Sequence, residues 1–146
     1  MPKFLLAAAL LATGSLLHAQ QTAATAAHPL TEARVFHYEQ MPVHAAPSGA
    51  EGRTIFTGTL PTGEAVGAHA TLQPAGTQPS PLHTIQHSEV IVIVEGTVTF
   101  EHNGQTDTAG PGSVLYVAPG TLHRLRDASA APVKYVVVQI GGDTKR

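Results

Sequence analysis

Four residues have the chemistry of a metal or proton-transfer centre: His83, His87 and Glu89 lie within one short segment, and His123 lies further along. Successive side chains of a strand alternate faces, so His83, His87 and Glu89 share parity and point one way unless a bend intervenes. Imidazole nitrogens with one carboxylate, completed by His123 from a second strand, form a hard-to-borderline donor set suited to Mn, Fe, Ni, Cu or Zn. Coordination positions left open take water, dioxygen or a substrate oxygen. Without a metal, the same groups are the hydrogen-bonding lining of a polar cavity. The chain has no cysteine, which excludes disulfides, thiolate metal sites, a Cys nucleophile and a lipoprotein anchor. It also has no Gly-rich phosphate loop, no Ser-His-Asp ordering and no Gly-x-Ser-x-Gly elbow.

The segments that carry these residues run from His83 to Gly96 and from Gly112 to His123. Both resemble the motifs of the cupin superfamily. The first has a Gly-containing loop from Gly76, then His83, then Glu89, then Gly96 seven residues beyond the Glu. The second has Gly112, a hydrophobic strand, the turn Pro119-Thr121 around Gly120, and His123. The resemblance implies a double-sheet jelly-roll barrel whose metal ligands are two His and the Glu of the first motif and the His of the second. The second His of the family's His-x-His falls here on Ile85, which cannot ligate, so His87 is the candidate substitute. His83, Glu89 and His123 still form a 2-His-1-carboxylate trio of the non-haem iron type. Smaller departures are Ala118 for Pro, Asp127 for Asn, and one extra residue in the loop after Gly76. Tyr116, in the strand of the second motif, either serves the cavity as an orienting or proton-donating group or packs with its hydroxyl at the rim.

Such side chains need strands to hold them. Short β-prone stretches recur about every ten residues between Gly, Pro and Asn punctuation, the spacing of a sandwich or barrel. Strands are expected at 34–38, 53–60, 64–72, 90–94, 97–101, 105–109, 113–117, 122–126 and 133–140. Asn103-Gly104 fits a type I′ hairpin turn joining the fifth and sixth of these. The three prolines of residues 73–81 force a loop that delivers the chain to His83. Val90 to Val94 is uniformly apolar and reads as a strand buried on both faces, against the core and a partner subunit. Arg124 and Arg126 either bind a substrate carboxylate or are solvated at the surface. His69 is a second-shell candidate, with an exposed strand position the more common fate, and His28, His37, His44 and His102 lie outside the constellation.

Composition sets the frame. Of 146 residues, 42% are hydrophobic and 12% charged, too apolar for a disordered chain, while a net charge of −2 offers no basic surface for nucleic acid. The N-terminus has a short positive start at Lys3, an apolar run from Phe4 to Ala12, and Leu17-His18-Ala19 before a cleavage point, the pattern of a secretory signal. Residues 1–19 are therefore read as a signal peptide, 20–31 as a flexible lead-in, and 32–143 as one all-β, jelly-roll domain of two antiparallel sheets. The expected product is exported, periplasmic or extracellular, and free of membrane after cleavage. Its expected partners are a small molecule and a second copy of itself in a homodimer. As a metal cupin it would belong among dioxygenases, isomerases or lyases. As a metal-free one, it would be a ligand-binding module using the same residues.

Overall fold

The computed structural model describes residues 29–128 and 130–142; the signal segment and residues 20–28 of the lead-in fall outside them. Nine strands build two antiparallel sheets: β1 (Val43–Ala45), β2 (Glu51–Thr59), β3 (Ala65–Gln73), β4 (Ser88–Glu95), β5 (Val98–His102), β6 (Gln105–Ala109), β7 (Val114–Val117), β8 (His123–Asp127) and β9 (Val133–Ile140). The larger sheet has the order β1-β2-β3-β9-β4-β7 and the smaller the order β6-β5-β8. The expected all-β class and double-sheet architecture are both present.

The core lies between the sheets, where alternate residues of each strand meet. Ile91, Ile93, Val98, Val117 and Val133 are fully buried, and each contributes about 1.5–3 kcal/mol through removal from water. Two motif glycines are dictated by geometry. A Cβ on Gly96 would stand 2.5 Å from the Pro132 carbonyl oxygen, and its φ is +76°, so the β4–β5 turn closes only with glycine there. Asn103 and Gly104 both have positive φ, as a type I′ turn demands.

Three expectations are corrected. Residues 34–38 do not form a strand; the chain is irregular there and enters a 3-10 turn at Tyr38–Gln40. Side chains hold this segment instead of a ladder: Phe36 packs on Phe56, and Tyr38 receives Arg53 at 4.5 Å and Lys134 at 3.9 Å over its ring. The edge of β2 is taken by β1, a strand of three exposed residues too short to leave a periodic signal. Finally, β4 alternates. Ile91 and Ile93 face the core, whereas Val90 and Val92 are half-buried on the outer face and Val94 is exposed.

Candidate functional site

Glu89, the second residue of β4, points into the barrel and is buried. His123 opens β8 on the opposite sheet and is buried at 3% exposure. His83 precedes β4 by five residues, and bends at Gln86 and His87 interrupt the strand, so the parity argument does not carry from Glu89 back to His83. A separate device brings it in. His83 and His123 form an isolated bridge, His83 N–H donating to the His123 carbonyl at 3.1 Å and His123 N–H to the His83 carbonyl at 2.9 Å. Their rings consequently lie side by side, 4.6 Å between centroids. All four sequence candidates, His83, His87, Glu89 and His123, line one cavity of about 320 Å³.

Hydrogen bonds define the lone pairs. His83 Nδ1–H donates to the Pro81 carbonyl (3.0 Å) and His123 Nδ1–H to the Thr121 carbonyl (2.9 Å). In the neutral form each ring therefore leaves its Nε2 lone pair free, the outer-shell arrangement that fixes the tautomer of a ligating histidine. The Nε2 of His123 stands 4.0 Å from Glu89 Oε2. In the neutral ring these are two acceptors facing each other, and a cation between them would satisfy both. The other carboxylate oxygen is engaged: the Gln139 amide donates to Oε1 at 3.2 Å, and His87 Nε2 stands 3.1 Å from it. Gln139 also stands 3.2 Å from His87 Nε2. The donor set fits a divalent ion, although no three His, Asp or Glu among the described residues are gathered in ligating geometry as they stand. Ile85 lines the cavity and packs against the core in place of a further ligand.

Other candidates are redistributed. Tyr116 is corrected to the outer face, 63% exposed, because its parity opposes that of buried Leu115 and Val117; its hydroxyl lies 3.2 Å from Ser88 Oγ. Arg124 and Arg126 do not reach the cavity; both pair with Glu101 of the same sheet. His102 pairs with Asp107 at 2.7 Å outside the cavity. His69 is not an exposed strand residue but a half-buried cavity residue, and burial holds its pKa below the usual imidazole value, opposed by the nearby Glu89 charge. Four polar lining residues were missed from sequence: Gln73, Ser80, Tyr135 and Gln139. The available signal is pairing register, which sets Gln139 opposite Glu89 and Tyr135 opposite Thr71. Burial pushes the Tyr135 phenol above its ordinary pKa. A larger cleft, about 620 Å³, opens between residues 29–36 and β2, but no histidine lines it.

Residues 68–139 match the family model described as a cupin domain. No curated protein matches the chain. Among solved structures, the fold is similar to an RmlC-like cupin from Shewanella frigidimarina, with a TM-score of 0.65, 15% identity, and coverage of 76% of this chain and 93% of that one. It is also similar to a predicted oxalate decarboxylase from Thermotoga maritima (TM-score 0.60, 15% identity, 75% and 100% covered). A third similarity is to the polyketide cyclase RemF from Streptomyces resistomycificus (TM-score 0.61, 16% identity, 78% and 82% covered). At these identities the likeness establishes the fold, and a shared fold hosts unrelated chemistries.

Proposed function

We propose, for a chain whose domain match and barrel support the cupin superfamily, that the cavity holds one divalent transition metal through Glu89, His123 and His83, with His87 as fourth donor, and binds a small molecule beside it. The observation that carries this reading is the pair of facing acceptors, Glu89 Oε2 and His123 Nε2, each anchored from behind. When bound, such an ion supplies Lewis acidity to a ligand oxygen, or binds dioxygen if it is redox-active. The protein's own part is preorganisation. The Pro81 and Thr121 carbonyls hold the two imidazoles in one tautomer, Gln139 fixes the Glu89 carboxylate, and Ile85, Ile91 and Leu125 keep bulk water from one wall. His87 Nε2 faces Glu89 Oε1 and the Gln139 amide and would have to exchange these partners for the ion to serve as fourth donor. Dioxygenase, isomerase and lyase chemistry are the reaction classes to try first.

A second reading, a metal-free ligand-binding cupin, is favoured by Ile85 at a ligand position and by the engagement of Glu89 Oε1 with His87 and Gln139. Metal analysis by plasma mass spectrometry, on untagged exported chain, separates the two. About one equivalent of Mn, Fe, Ni, Cu or Zn, lost in His123→Ala, supports the metal reading; less than about a tenth after reloading with each ion supports the other. Export rests on residues 1–19, and a secreted product whose N-terminal sequence begins at Gln20 is expected. Homodimer formation is proposed through the outer apolar face of β4 and β7, where Val114 and Tyr116 are exposed; light scattering should give a dimer mass that Tyr116→Glu returns to monomer.

A further inference from the structure

The cavity has a second polar end, remote from the histidines. Gln73 and Tyr135 are buried, at 7% and 8% exposure, and both line the cavity. They sit diagonally across the β3–β9 ladder, in which Gln73 opposes Val133 and Tyr135 opposes Thr71. Along β9, Tyr135 lies four residues from Gln139, the partner of Glu89 in the ladder, and the Glu89 charge still reaches its phenol. Apolar Ile91 and Leu125 and half-buried His69 line the space between.

A buried carboxamide is expensive to leave unpaired. Gln73 Nε2 donates to the Tyr135 hydroxyl at 3.3 Å, and the amide makes no other side-chain hydrogen bond among the described residues. One N–H and the carbonyl oxygen of Gln73 remain for whatever enters the cavity. No Lys or Arg lines it, and its buried carboxylate is Glu89. A free carboxylate docking at this end would therefore meet no counter-charge and would set its lone pairs against the Gln73 carbonyl.

We infer that Gln73 and Tyr135 form the recognition floor of the cavity and select a neutral small molecule presenting an adjacent hydrogen-bond donor and acceptor, a carboxamide or lactam edge, on an apolar body. The assignment rests on the cavity being the ligand site but not on a metal being held there. Specificity of this kind is strong, because a ligand lacking either group leaves a buried partner unsatisfied.

Benzamide and benzoate are matched in size and differ at the recognised group, so they serve as probes. Titration calorimetry on the chelator-treated, exported chain at neutral pH should show benzamide binding at least about tenfold tighter than benzoate. Gln73→Met, close in shape and unable to pair, should weaken benzamide about tenfold, with circular dichroism and melting temperature near wild type. Tyr135→Phe, which removes a hydroxyl and keeps the ring, should weaken it by a smaller factor, about threefold. Equal or tighter benzoate binding, no benzamide binding at millimolar concentrations, or a Gln73→Met chain that binds benzamide unchanged each overturns the inference. So does benzamide binding that appears only after metal loading, because it would place the ligand at the histidines. A chain that never retains metal but binds benzamide with the Gln73 dependence removes the metal reading and leaves this one standing.

Discussion

The two ends of the cavity are built on opposite principles. At the histidine end, both sheets contribute: Glu89 from β4, His123 from β8, and His83 drawn in by a backbone bridge between the segments. Its chemistry is charge. A buried carboxylate needs partners to be tolerated, and His87 with Gln139 supplies them while His123 Nε2 faces the second oxygen at 4.0 Å. The floor comes from β3 and β9 alone, neighbours in one sheet, and is neutral. Its hydrogen-bonding capacity is incomplete where the histidine end lacks positive charge. One end therefore suits a cation and the other the uncharged edge of an organic molecule, with the Glu89 charge felt at Tyr135 as the link between them.

The largest expected effect is at the acid. Glu89→Gln keeps the shape and removes the only carboxylate of the donor set, so retained metal should fall at least about a hundredfold in affinity, measured by competition with a chelating dye. Benzamide affinity at the floor should change far less, within about threefold, because Glu89 reaches the floor only through its charge on Tyr135. A parallel loss of both would break the division. Ile85→His works in the opposite direction. It restores an imidazole where the family carries one, on a residue that already lines the cavity, and should raise metal affinity about tenfold in the same assay without changing benzamide binding. No gain would mean that the Ile85 position cannot reach the Glu89–His123 gap.

These two ends also differ in how far the sequence discloses them. Glu89, His87 and His83 lie within seven residues, and Gly96, Gly120 and His123 stand at fixed distances from them, so linear spacing identified the histidine end. Even there, strand parity gave the wrong reason for His83, because bends at Gln86 and His87 break the strand and the His83–His123 bridge does the positioning. The floor has no local signature. Gln73 and Tyr135 are 62 residues apart in the chain and meet only through the β3–β9 register, a long-range fact that no window of sequence contains. Strands with turn chemistry between them were legible throughout, as Asn103-Gly104 shows. Residues 34–38 were misread because aromatic residues that look strand-forming are used there to clamp Arg53 and Lys134.

Titration provides a weaker effect at each location. Burial raises the Tyr135 pKa above its ordinary 10.0, so the folded chain holds the phenol proton longer than the unfolded one. Stability from this group is complete below pH 10 and is lost as pH rises through the folded value. His69 is shifted downwards from 6.5 by burial, so the folded chain resists protonation. Its contribution is present above pH 6.5 and lost as pH falls through the depressed folded value. Denaturant titrations of metal-free chain across pH should therefore show both losses. Tyr135→Phe should flatten the alkaline side and His69→Gln part of the acid side. A Tyr135→Phe chain with an unchanged alkaline decline would mean that another group carries it.

The smallest effect is expected outside the barrel, at the residue most easily mistaken for part of it. Tyr116 belongs to the second motif and is separated from buried Leu115 and Val117 only by strand alternation. Its contact is with Ser88 on the neighbouring strand, at the surface. Tyr116→Ser should therefore leave both metal content and benzamide affinity at wild-type values, any change in stability coming from weaker association of the outer face. If the phenol instead served the cavity, at least one of the two binding measurements would fall. That result would require the β7 register opposite β4 to slip by one residue, since a one-residue shift is what exchanges the faces of a strand. The observed pairing of Val90 with Tyr116 and Glu89 with Val117 is the register being tested.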